Sequence, residues 1–140
     1  MKKVCYTWVS NHANQTLANS TQAKAVYPTV QSDADGCWDA VNNRYIPTGG
    51  PGTFLVTTGI YFLVSAAALI LMGFSKNGTE ILRPYQTNIP GQGMYSATAV
   101  VNLNGSTDYI EVLVEQVSGA SATLGVAQDL LFYFIANRLS

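Results

Sequence analysis

At 140 residues the chain has the length of one ordinary domain and is too short for two. Only 11% of its residues are charged and the net charge is -1, against about 25% charged in ordinary soluble chains, so it offers no field to draw nucleic acid or an anionic membrane. Its 48% hydrophobic content is balanced by Asn, Gln, Ser, Thr and Gly, which suits pleated strands and a subunit held against other subunits, because burying a satisfied amide costs far less than burying a charge.

Residues 1–3, Met1-Lys2-Lys3, form a short basic N-terminal segment of a single domain over 1–140. The apolar run behind it is broken at Thr7 and turns polar from Ser10, so no secretion signal is expected. Val4 to Val9 and Ala23 to Val30 are predicted strands, separated by a polar loop that holds the single histidine, His12. The triplets beginning at Asn14, Asn19, Asn77 and Asn104 match a glycosylation pattern, but without secretion they read as turn chemistry. Cys5 and Cys37 could make one bridge, but in a chain made in a reducing cytoplasm they are expected to stay buried free thiols.

Residues 32–43 read as a loop leading to Tyr45-Ile46-Pro47, and Gly-rich residues 48–52 feed a strand from Thr53 to Val56. Gly59 to Phe74 follows, uncharged and almost wholly apolar. A spanning helix needs about 20 apolar residues, reached here only by including Thr57, Thr58 and Gly59, so no membrane span is expected. Ala66-Ala67-Ala68-Leu69 favours a buried helix, whereas Lys76-Asn77-Gly78 between two apolar runs favours a strand entering a hairpin. As a strand, its period of 2 places Tyr61, Leu63, Ser65 and Ala67 on one face and Phe62, Val64, Ala66 and Ala68 on the other. Both faces are apolar, so the second must be covered, and another copy of the chain is a natural cover.

Further strands are predicted at Thr79 to Tyr85, Met94 to Leu103, Asp108 to Val117 and Leu130 to Leu139. Eight to ten strands at hairpin spacing make an all-β sandwich.

The series Tyr45-Ile46-Pro47, Gly59-Ile60-Tyr61-Phe62, Lys76-Asn77-Gly78, Val101-Asn102-Leu103, Asp108-Tyr109-Ile110-Glu111-Val112 and Leu131-Phe132-Tyr133-Phe134 resembles the globular head of complement component q and its tumour-necrosis-factor-like relatives. One departure stands out, since the family carries Gly-Asp just before the strand placed at Tyr109 and this chain has Gly105-Ser106-Thr107-Asp108. The resemblance implies a single jelly-roll β-sandwich of about ten antiparallel strands that assembles as a threefold homotrimer, and points to the bacteriophage virion branch. It implies that the strand beginning at Gly59 and the last strand line the threefold axis. Phe62, Val64 and Ala66 would then meet symmetry mates beside Tyr133 and Ile135, with Tyr61 and Leu63 filling the core. A shift of one residue would exchange the two sets.

Nothing in the sequence assembles a catalytic, metal or cofactor site. His12 has no Cys or carboxylate at ligand spacing, and Cys37 has no positioned base. Asp33, Asp35 and Asp39 around Gly36 superficially resemble a calcium loop, but no carboxylate completes it before Glu80, so they read as an Asx-turn and surface loop. Residues 48–53 lack the Lys and the helix of a phosphate loop. Trp8, Trp38, Tyr85 and Tyr95 could stack on sugars, although aromatics of a sandwich belong more often to its core. An enzyme is not expected.

The expectation is a structural virion protein, a trimeric decoration or cement subunit of a bacteriophage capsid, assembled in the host cytoplasm and docked on the major capsid protein or another virion protein through its loops and through Lys2 and Lys3. A chain that begins almost directly with its first strand carries no fibre shaft, which favours this role. The alternative is a receptor-binding knob, an adhesin of a tail or head fibre that recognises host surface glycan.

Overall fold

A computed structural model describes residues 2–64, 67–89, 92–125 and 132–140, with 83–89 described in backbone course only. In chain order the strands are β1 (Thr7–Ser10), β2 (Gln15–Leu17), β3 (Ala23–Lys24), β4 (Thr29–Ser32), β5 (Trp38–Asp39), β6 (Arg44–Tyr45) and β7 (Gly52–Leu63). They continue with β8 (Ala68–Lys76), β9 (Thr79–Ile89), β10 (Gly93–Leu103), β11 (Ile110–Val117), β12 (Ala122–Leu124) and β13 (Phe132–Arg138). Among the described residues there is no helix, and the strands form two antiparallel sheets. One sheet joins β4, β1, β13 and β7, with β10 on the far side of β7 and β12–β2 at its end; the other runs β5-β6-β11-β8-β9, with β3 on β11. The chain is a jelly-roll β-sandwich.

The apolar stretch 59–74 is not one strand. Gly59 to Leu63 belongs with Thr53 to Val56 in the 12-residue β7, and Ala68 to Lys76 is β8 in the opposite sheet. Sixteen extended residues would reach about 50 Å, longer than a compact domain of this size is wide, so the run has to change sheets. Thr57 and Thr58 do not interrupt β7, because their hydroxyls are satisfied within it. Buried Thr58 Oγ1 donates to the Tyr133 carbonyl at 2.9 Å and accepts from the Tyr27 hydroxyl at 2.6 Å. Burial pushes the Tyr27 phenol far above its usual range, which keeps it a donor. The predicted hairpin is present, with Asn77 and Gly78 at φ 53° and 84° and Lys76 opposite Thr79.

The expected faces are exchanged. Phe54, Val56, Thr58, Ile60 and Phe62 are fully buried between the sheets, Val64 is buried with them, and Tyr61 and Leu63 lie on the outer face. Phe62 and Val64 are therefore core residues. The cause is visible once β7 is taken from Gly52. Its even positions are a nearly unbroken apolar series, whereas its odd positions include Thr53, Thr57 and Gly59. Phe132, Phe134 and Ala136 of β13 enter the same core, where Tyr27, Trp38, Tyr45, Phe54, Phe132 and Phe134 form a chain of ring contacts 5.2–6.1 Å between centroids.

Cys5 and Cys37 are joined in a disulfide, not free. The loop before β5 returns to the chain entering β1 and brings the two Cα atoms to 5.7 Å, within bridging range.

Candidate functional site

The outer face of the β7 sheet is the most distinctive surface of the molecule, and backbone register builds it. Opposite β7, strand β10 sets Met94 against Tyr61, Ser96 against Gly59, Thr98 against Thr57 and Val100 against Leu55. On the other side, β13 sets Tyr133 against Gly59 and Ile135 against Thr57, and β1 sets Trp8 against Ile135. Because paired residues share a face, Leu55, Tyr61, Leu63, Met94, Val100, Tyr133, Ile135 and Trp8 line one surface. Leu63, Met94 and Val100 are 39%, 40% and 61% exposed. Thr57 and Thr98 join across the strands, their hydroxyls 2.8 Å apart.

This face is built without charge. Strands β1, β7 and β10 contain no Asp, Glu, Lys or Arg, and β13 contains only Arg138, whose guanidinium turns to the end of the sheet and donates to the carbonyls of Lys3, Thr48, Gly50, Pro51 and Ser140. The strands of the other sheet contain Lys24, Asp39, Arg44, Lys76, Glu80, Arg83, Glu111 and Glu115. There Lys24 and Arg44 converge on Glu111 at 2.9 and 3.1 Å, and Arg44 stacks 3.9 Å from the centroid of Tyr109.

A second feature lies where the sheets meet at β10. An open cleft of about 460 Å³ is lined by Thr53, Lys76, Asn102, Asn104 and Asp108 among others. It adjoins a groove of about 380 Å³ that includes Ile81, Leu82 and Val100. Asn104 organises the cleft rim, its Oδ1 accepting from the backbone of Ser106, Thr107 and Asp108. The Asn77 side chain donates to Asp108 at 2.8 Å and, with the Asn104 N–H and Lys76, holds that carboxyl below its ordinary range.

Of the predicted interface residues, Tyr133 and Ile135 lie on the outer face, Phe62 and Val64 face inward, and Ala66 lies outside the described residues. Lys2 and Lys3 are exposed, but Lys3 is not a free arm: its carbonyl accepts from Arg138 Nε at 2.7 Å and its backbone packs on Gly49. The three Asp side chains act as turn acceptors. Asp33 takes the Thr7 hydroxyl and the N–H groups of Cys37 and Trp38, and Asp35 takes the Cys5 N–H. Asp39 takes Val41 and Asn42, whose hydrogen bonds lower its pKa. Among the described residues no group of three or more His, Cys, Asp and Glu could hold a metal. His12 Nε2 lies 2.9 Å from Ser10 Oγ. Trp38 and Tyr95 pack against the core, Trp8 stands on the outer face, and the Tyr85 side chain lies outside the described residues. Leu55, Met94 and Val100 escaped the sequence reading, although the want of charge in β7 and β10 could have marked them.

No protein-family model matches the chain, and no curated protein matches it in sequence. Solved structures do match its fold. The globular domain of zebrafish complement 1qA is 13% identical, with a TM-score of 0.58 over 99% of this chain and 98% of that one. Eiger TNF from S. frugiperda is 13% identical, with a TM-score of 0.59 over 99% and 94%. Murine APRIL is 12% identical, with a TM-score of 0.62 over 98% and 100%. The chain has the jelly-roll fold of these proteins.

Proposed function

We propose that the protein is a homotrimeric structural subunit and that the outer face of the β7 sheet is its assembly surface. The segregation of charge carries this reading. Desolvating an unpaired charge costs several kcal/mol, whereas burying a Leu, Met or Val contributes about 1.5–3 kcal/mol, so a face meant for burial is built as this one is. The jelly roll shared with complement 1qA and the TNF proteins supports a trimer in particular. A closed ring of three needs two different patches on each subunit. The outer face supplies one, and the β10 edge groove, with Ile81 42% and Leu82 37% exposed, supplies the other.

The trimer's role is to decorate a bacteriophage capsid as a cement protein. With one sheet turned to the threefold axis, the charged sheet and the loop ends remain for docking on the major capsid protein, with Lys2 and Lys3 beside them. The supporting feature is the amide- and hydroxyl-rich composition, suited to lasting protein contact. A second reading, a glycan-binding knob, is favoured by the open cleft, where Asn102, Asn104, Asp108 and Lys76 supply donors and acceptors of the kind sugar hydroxyls use. Imaging particles that carry a tag on this chain separates the two. Label at many lattice points over the shell supports decoration; label confined to a tail or one vertex supports the knob.

A further inference from the structure

The disulfide has a cover of its own. Its sulfurs belong to residues 0% and 1% exposed, and two chain segments lie near them. The first is the loop at Thr48, whose N–H donates to Cys5 Sγ at 3.2 Å and whose hydroxyl sits 3.8 Å from each sulfur. The second is the N-terminal segment, with Lys3 packed on Gly49 and Val4 leading into Cys5. Arg138 fastens both. Its Nη2 donates to the carbonyls of Thr48 and Gly50 at 2.9 Å, its Nε to Lys3 at 2.7 Å, and its backbone N–H to Val4 at 2.8 Å. One guanidinium on the last strand thus ties down both segments that flank the bond.

We propose that Cys5–Cys37 is a gated disulfide: residues 3–4 and 48–50 form a lid held by Arg138, and a small thiol reaches the sulfurs only when that lid lifts. In the exchange a thiolate of a dithiol bonds to one cysteine sulfur while the S–S bond breaks and the other sulfur leaves as thiolate. The second thiol of the reagent then displaces the protein sulfur. The reagent ends as its cyclic disulfide and the protein as two thiols. Because both sulfurs are buried, exchange needs a local opening, and the free energy of that opening slows the observed rate.

The reduced protein keeps its shape at this point, because other bonds hold the cysteines in place. Asp35 accepts from the Cys5 N–H, the Tyr45 hydroxyl donates to the Cys5 carbonyl at 2.8 Å, and Asp33 bridges Thr7 to Cys37. Reoxidation by a small disulfide therefore restores the same pair. The gate keeps the bond through passing contact with thiols and releases it when the lid is disturbed.

The test follows thiol release from the oxidised protein in dithiothreitol, trapped with a maleimide and read by mass. Wild type should reduce at least roughly a hundredfold more slowly when native than in urea, and Arg138→Ala and Arg138→Lys should each speed native reduction by roughly tenfold or more. Val112→Ala, a buried position of β11 paired with Phe74 of β8, controls for general destabilisation and should leave the rate within about threefold of wild type. Native reduction as fast as in urea, Arg138 variants no faster than wild type, or Val112→Ala as fast as they are would each overturn the gate. So would two free thiols in protein exposed to oxidised glutathione.

Discussion

The ring of Tyr133 lies across the backbone of Gly59, so that a Cβ at Gly59 would fall 2.5 Å from Tyr133 Cε1 and Cζ and 2.6 Å from its hydroxyl. The two residues are directly paired between β7 and β13 on the outer face. Glycine is required there by the close approach of a neighbour, since its φ is not in the left-handed region. Gly59→Val should displace the ring, destabilise the fold by about 1–3 kcal/mol and lower Tm by roughly 3–10 °C. Calorimetry checks this. Adding Tyr133→Ala should recover part of the loss by making room for the new side chain.

Position along β7 should decide whether a carboxylate dissociates or unfolds the protein. Leu63→Asp on the outer face should leave folded monomers, with a far-ultraviolet spectrum like wild type. Phe62→Asp, one residue away and fully buried, should abolish folding, as an unpaired charge in the core outweighs a domain's whole margin of stability. Circular dichroism with size-exclusion chromatography distinguishes the two outcomes.

That neighbouring pair also marks how much the sequence disclosed. The β class, the hairpin at Asn77-Gly78 and most later strands were legible, because alternation and turn residues are local signals. Parity along β7 was not, because within Gly59 to Val64 both sets of positions are apolar; only the stretch back to Thr53 separates them. The sheet change between β7 and β8 was hidden for the same reason, as residues on both sides of it are apolar. The cysteine pair and the Arg138 clamp depend on residues far apart in the chain, and composition carries no trace of such contacts. Asp33 was read correctly as turn chemistry, since a short run of Asp around a glycine already specifies backbone acceptors.

Asp33 should matter to stability while metal should not. Its carboxylate accepts three hydrogen bonds that join β1 to the loop before β5, so Asp33→Ala should destabilise by about 2–3 kcal/mol. Melting with and without EDTA should give the same Tm for wild type. A fall of several degrees on chelation would mean that these Asp residues bind a cation.

Acid should act partly through Asp108. Its folded pKa is depressed below the reference 3.8, first by the Asn77 side chain, so the stability it lends is present above about pH 4 and is lost as pH falls through the folded value. The side chain is 15% exposed at the rim of the open cleft, where solvent screening keeps the effect small. Asp108→Asn should therefore lose less Tm than wild type between about pH 6 and pH 3. Equal losses in the two proteins would show that the Asn77–Asp108 contact contributes nothing.

Sedimentation equilibrium at low protein concentration tests the assembly claim most directly. Wild type should sediment as a single species with the mass of three 15.0 kDa chains, and Leu63→Asp and Ile135→Glu as one. A wild-type monomer of undiminished thermal stability would contradict the account, because the apolar outer face of β7 and β13 would then stand open to water.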